Sequence, residues 1–152
     1  MTTEERSDPY LGHRFVVEID SVVAGGFSGV SGLSMEMQPQ EVEEGGQNGF
    51  SHKLPTRIGH QNLVLKRGLT DYVGFWSWIW AVANGSVTRK RVDVYLQDAP
   101  GPDDRVWGWS FASAYPVKWT GPEFSAEQSA VALETLELAH EGVSKVEGLP
   151  PT

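Results

Sequence analysis

A chain of 152 residues predicts a single domain, and its 39% hydrophobic and 11% aromatic content is enough to fill a packed core. Cysteine is absent, which excludes a disulfide framework, a thiolate nucleophile and a cysteine-ligated zinc site. Twelve lysines and arginines against twenty aspartates and glutamates leave a net charge of −8, the reverse of the basic footprint a nucleic-acid binder needs.

The chain opens with a polar, acidic segment, Met1 to Asp8, that lacks the apolar core of a signal peptide. Residues 1–12 are expected to form a flexible arm. No apolar run is long enough to span a bilayer, so no membrane anchor is expected. His13 to Asp20 alternates, with Phe15, Val17 and Ile19 on one face, and predicts a half-buried strand. Val22 to Val30 carries three glycines and predicts a bent strand and a turn. Leu33 to Gln38 alternates again; Leu33, Met35 and Met37 should face in, and Ser34, Glu36 and Gln38 out.

Residues 41–60 read differently. Glu43-Glu44-Gly45-Gly46-Gln47-Asn48-Gly49 can bury little and predicts a long exposed loop or a projecting hairpin tip, with a return strand near Phe50 to Leu54. Gln61 to Arg67 alternates, with Leu63 and Leu65 sharing a face. Thr70-Asp71 and Asn84-Gly85 offer the two caps of one helix. Its apolar arc comprises Tyr72, Phe75, Trp76, Ile79, Val82 and Ala83, opposite Gly74, Ser77 and Ala81, with Trp78 at the margin. Trp76 and Trp80 are expected in the core.

Arg91–Gln97 and Arg105–Phe111 predict a hairpin around an Asp/Pro/Gly turn. Ala114–Thr120 is a further strand interrupted by Pro116. Val131–His140 is the last; its apolar parity switches between Leu133 and Leu136, which predicts a bulge near Glu134–Thr135 or burial of both faces. Seven or more strands and one helix make the chain mainly β, a two-sheet sandwich or barrel with a flanking helix.

Motifs for chemistry are missing. His13, His52, His60 and His140 are not spaced as metal ligands, so no metal is expected. No glycine-rich phosphate loop occurs, so neither nucleotide nor other cofactor is expected. No nucleophile elbow is present, and the acid pairs Glu43/Glu44 and Asp103/Asp104 sit in loops rather than a cleft. Trp107, Trp109 and Trp119 fit core or subunit contacts better than a sugar platform. The chain is not expected to be an enzyme.

Six segments in order resemble the tail tube protein of contractile phage tails and phage-derived contractile injection systems. They are Phe15-Val16-Val17-Glu18-Ile19-Asp20; Gly26-Phe27-Ser28-Gly29-Val30-Ser31-Gly32-Leu33; Glu43 to Asn48 with Lys53-Leu54-Pro55; Leu65 to Asp71 leading into Trp76-Ser77-Trp78; Ala114 to Pro122; and Ala132 to Gly142.

The resemblance implies a structural subunit whose homohexameric rings stack into a hollow tube. Partners would be copies of itself, sheath protein, baseplate and spike proteins, a terminator, and DNA or protein cargo in the lumen. Synthesis would be cytoplasmic, with assembly into a virion tail or a released particle. Loop 41–60 is the expected inter-ring contact, through Glu43, Glu44, Gly45, Gly46, Asn48, Phe50, Leu54 and Ile58. Ser34, Glu36, Gln38, Lys118 and Glu134 are the candidate lumen-facing residues. A tube initiator at the baseplate, a carbohydrate-binding β-sandwich and a small hydrolase using loop acids stand as alternatives.

Overall fold

The computed structural model describes residues 15–42, 52–68, 74–99, 102–124, 126 and 132–149. In chain order the elements are β1 (Phe15–Ile19), β2 (Val22–Gly26), β3 (Gly29–Ser31), β4 (Glu36–Val42), β5 (His52–Gly59), β6 (Leu63–Gly68), α1 (Gly74–Ala83), β7 (Lys90–Gln97), β8 (Arg105–Thr120), β9 (Leu133–Ala139) and β10 (Val143–Lys145). A 3-10 turn, Pro102–Asp104, leads into β8.

Eight strands form one antiparallel sheet in the order β2-β1-β7-β8-β9-β6-β3, with β10 also paired to β8. Strands β4 and β5 form a separate hairpin. The sheet folds into two leaves because β8 belongs to both. Its first half pairs with β7 and β10, and its second half with β9. The crossover lies at Ser113, where φ is 52°. A non-glycine residue rarely adopts this conformation. It shifts the side-chain alternation so that Phe111, Ala114 and Pro116 all point inward. Sequence reasoning placed two strands here; the bulge lets one strand of 16 residues run through Pro116.

The inner faces of both leaves share one core. Val17 and Ile19 of β1, Val92 and Val94 of β7 and Phe111 meet Leu63 and Leu65 of β6 and Leu136 and Leu138 of β9. Phe75 and Trp78 of α1 complete it. The helix ends as expected: Gly85 has φ 88°, its N–H donates to the Val82 carbonyl, and the Ser86 N–H donates to the Ala81 carbonyl. This is the paired-bond stop that glycine permits. Its expected N-cap and Tyr72 lie outside the described residues.

The helix is rolled relative to the expected arc. Phe75 and Trp78 are buried, while Trp76 and Trp80 are 47% and 58% exposed. The marginal Trp78 goes inward because its indole N–H donates to the Thr88 carbonyl at 2.8 Å. Trp76 and Trp80 stack on one another at 5.7 Å instead of entering the core, and Trp76 presents an edge contact to Trp119 at 4.9 Å.

Strand β9 holds a second correction. Its pairing with β6 runs unbroken from Leu63↔Leu138 to Gly68↔Leu133, with no bulge. The parity switch arises because Glu134, not Leu133, points inward. Glu134 sits opposite Arg67 in register, and both are nearly inaccessible. Arg67 Nε and Nη2 each lie 2.6 Å from Glu134 Oε1, and Nη1 donates to the Ala24 carbonyl at 3.0 Å. Trp119 Nε1 donates to Glu134 Oε2 at 3.2 Å, and the guanidinium lies 4.3 Å from the Phe75 ring centre.

Removing one member of such a pair leaves its charged partner buried. Glu134→Ala should therefore cost about 3–5 kcal/mol in urea unfolding, and adding Arg67→Met to it should recover much of that loss. Phe75→Ala should cost about 3–5 kcal/mol, whereas Ile79→Ala, at a half-buried position, should cost less than about 2 kcal/mol.

Candidate functional site

Strands β4 and β5 pair with each other and, among the described residues, with no other strand. Their register sets Met37 opposite Ile58 and Pro39 opposite Pro55, with an irregularity between Gln38 and Pro39. Proline cannot donate to a ladder, so facing prolines suit a free-standing ribbon better than a strand inside a sheet. Of the two forms expected for residues 41–60, a long exposed loop or a projecting hairpin, the described arms form the hairpin.

The alternating stretch that begins at Leu33 does not face the core. Leu33, Met35, Met37 and Ile58 are 40%, 51%, 56% and 52% exposed. The strand starts only at Glu36, and the preceding residues run outside the sheet. A groove of about 310 Å³ separates this run from Trp109, Val143, Ser144 and Lys145. Lys145 lies over the Trp107 ring at 4.3 Å, and Trp107 neighbours Trp109 at 6.2 Å. The result is an apolar surface of thioether, aliphatic and indole groups. Burying any one such side chain is worth about 1.5–3 kcal/mol.

The root of the hairpin is tightly built. Gly32 has φ 89°, and a β-carbon there would collide with the Asn62 carbonyl. The His60 Nδ1–H points to the Ser34 carbonyl at 3.4 Å, and the Gln61 N–H donates to Ser34 Oγ at 3.4 Å. His60 also meets His140, with ring centres 5.3 Å apart. The two are far apart in the chain, so spacing gave no signal of the pair. Burial, with a smaller part from the nearby His60, lowers the His140 pKa below its ordinary value, although the Gln61 and Gly142 backbone groups pull the other way.

Of the expected inter-ring residues, Glu43, Glu44, Gly45, Gly46, Asn48 and Phe50 lie outside the described residues, as does the Leu54 side chain. Ile58 is exposed beside Met37. Of the expected lumen residues, Glu36, Gln38 and Lys118 are exposed and Ser34 is half-buried at the root. Glu134 is corrected: it is 4% exposed and bound to Arg67 and Trp119 inside the domain.

The outward face of the leaf β8-β9-β6 is mixed, with Val64 and the exposed Leu133 beside a run of polar residues. Lys118 sits opposite Glu137, Thr120 opposite Thr135, and Lys66 opposite Thr135. Asn62 donates to Glu137 at 3.0 Å. Lys66, Thr135 and Glu137 were not singled out in the sequence, since outward strand positions carry no motif. On the other leaf, Arg105 bonds Glu18 at 2.9 Å and lies 4.2 Å over the Tyr95 ring. Burial, then the carboxylates of Asp93 and Glu18, raise the Tyr95 pKa. Among the described residues no helix is long and apolar enough to cross a membrane.

A family model described as T4-like virus tail tube protein gp19 matches residues 11–144. Solved structures agree. A chain of the six-fold symmetrised cryo-EM structure of the anti-feeding prophage baseplate is 26% identical, with TM-score 0.76 over 93% of this chain and 97% of that one. A chain of the sheath–tube complex of the extracellular contractile injection system PVC, in its extended state, is 24% identical, with TM-score 0.80 over 91% of each. A chain of the anti-feeding prophage tube-terminating cap is 23% identical, with TM-score 0.83 over 95% of each. No curated protein matches the chain.

The root geometry gives a direct expectation. Gly32→Ala forces a side chain into a left-handed backbone and against a carbonyl, and should lower stability by about 1–3 kcal/mol in thermal or urea unfolding.

Proposed function

The chain belongs to the T4-like virus tail tube protein family and is a tube subunit of contractile-tail type, and we propose that it acts by closing into six-membered rings that stack through the β4–β5 hairpin. The observation that carries this is the hairpin itself. It pairs with nothing else among the described strands, yet its root displays Leu33, Met35, Met37 and Ile58 to solvent. An apolar surface of this kind marks a protein contact site.

The partner in this reading is a second copy of the chain. Among the described strands β2 and β3 end the sheet, so each leaf presents an edge for pairing with another chain. Ring closure consumes lateral edges and must close after a fixed rotation. Stacking is head to tail and open-ended, so it grows a tube. The glycine-rich tip, with Glu43, Glu44, Gly45, Gly46, Asn48 and Phe50, would reach the neighbouring ring, while Leu54 and Ile58 anchor the arm.

The face that carries Lys66, Lys118, Thr120, Thr135 and Glu137 is the proposed wall of the lumen, with Glu36 and Gln38 beyond it at the hairpin. Its mixed charge gives DNA or protein cargo no single-sign surface to grip. The outer surface would meet sheath protein, and the tube ends would meet baseplate and terminator proteins. The work is structural, with no reaction assigned to any residue.

Met35→Glu together with Ile58→Glu puts two charges on the apolar surface. The variant should unfold within about 0.5 kcal/mol of the parent, because both positions are exposed, yet its rings should fail to stack into tubes in sedimentation and negative-stain microscopy. Normal tubes from it would defeat the assignment of this surface. Replacing Gly45 and Gly46 by valine should leave rings intact and stop their stacking.

A further inference from the structure

The hairpin joins the body through a cluster that stacking itself does not require. His140, just after β9, is held from both sides of its ring. Nε2 lies 2.9 Å from the Gln61 carbonyl, and the Gly142 N–H lies 3.2 Å from Nδ1. A carbonyl only accepts and a backbone N–H only donates, so the pattern demands a neutral ring with its hydrogen on Nε2. The ring is packed edge-on against Phe111 of β8 at 4.9 Å and faces His60 at 5.3 Å. The Gly142 and Glu141 segment is tied to β8 by the Ala112 backbone, at 3.0 and 2.9 Å. One imidazole therefore connects β8, the segment after β9 and the residue that follows the hairpin.

We propose that the His60–His140 pair is a protonation-sensitive latch on the β4–β5 hairpin. When His140 gains a proton, its Nδ1–H faces the Gly142 N–H donor to donor, the bond is lost, and a cation is placed beside His60. The Gln61 and Gly142 backbone groups favour that charge, but burial outweighs them, and among the described residues no neighbouring carboxylate is directed at the ring. Glu141, next in the chain, is exposed and directed to Arg89 at 3.5 Å. From β9, Glu137 is engaged by Asn62. From β8 the ring meets Phe111.

Burial already lowers the His140 pKa from its ordinary value of 6.5. An unlatched root binds the proton more tightly than a latched one. The latch is thus at full strength above the ordinary imidazole value and weakens as pH falls below it. The consequence for tubes rests on the reading that the hairpin docks the neighbouring ring: a loosened root would no longer aim it.

Amide hydrogen exchange on the full chain tests the latch, because the Gly142 amide bonds the ring itself and the Gln61 amide, bonded to Ser34 Oγ, reports the hairpin root. Between about pH 7.5 and about pH 5.5, corrected for intrinsic rates, their protection should fall about tenfold relative to amides of β6. His140→Gln keeps a donor for the Gln61 carbonyl but cannot titrate, so its protection ratio should stay flat. A flat ratio in the parent, or the same fall in His140→Gln, overturns the proposal. Should that variant not fold, His60→Gln provides the second test. Without the neighbouring imidazole, the His140 ring titration followed by NMR should move up toward its ordinary value, and the onset of lost protection should move with it. An unmoved onset overturns the latch. Sedimentation at neutral pH separates the two readings: a protein that never forms rings defeats the assembly role, while rings with pH-flat exchange defeat the latch alone.

Discussion

One buried ion pair is the point to which the surrounding elements of the fold are tied. Arg67 and Glu134 face each other across β6 and β9, and no other cross-strand alignment would place the two charges together. From that point the contacts spread outward. The guanidinium reaches the Ala24 carbonyl in β2 and the Phe75 ring of α1, and the carboxylate receives the Trp119 indole from β8. Five elements are thereby referenced to one pair. Taking two charges out of water costs several kcal/mol per ion before their attraction is counted, so a pair like this specifies an arrangement more than it adds stability. A one-residue slip of β9 would turn Leu133 inward but expel Leu136 and Leu138 from the core and strand Arg67, so the core leucines and the ion pair oppose it together.

Around this fixed centre, the apolar side chains divide into two populations. Those facing the ion pair make a core in which Leu63, Leu65, Leu136, Leu138 and Phe111 are fully inaccessible. Those at the hairpin root, equally apolar, remain in solvent. The chain carries eight more acids than bases, and net charge of that size opposes self-association through such a surface. In the proposed assembly, the same sequence supplies both the force that folds one subunit and the force that joins it to the next. Only geometry separates the two.

This division explains what was legible in the sequence. Strand alternation found β1, β6 and β7, and the Asn84-Gly85 cap found the end of α1, because local periodicity and turn chemistry are written within a few residues. Alternation also read Leu33, Met35 and Met37 as core, since a pattern shows which side chains share a face and not what lies opposite. Trp76 and Trp80 failed for a related reason: the roll of α1 is set by Arg67 beneath Phe75 and by the Thr88 carbonyl beside Trp78, both outside the helix and so invisible to its periodicity. Glu134 was placed outward because a carboxylate is usually solvated, and its partner lies on another strand. The His60–His140 pair had no local signature at all. The order of six family-like segments, by contrast, was visible at once, since it draws on the whole length of the chain.

Strand β8 carries a mechanical consequence. It is one continuous length of backbone through both leaves, hydrogen-bonded along one flank to β7 and on the other to β10 and then β9. A load along its axis must shear many ladder bonds at the same moment, whereas a load across a short edge strand peels bonds one at a time. Tension entering either leaf is therefore carried by the covalent chain into the other, and the kink at Ser113 is where that path bends. The subunit has a spar, and its stiff direction is the direction of β8.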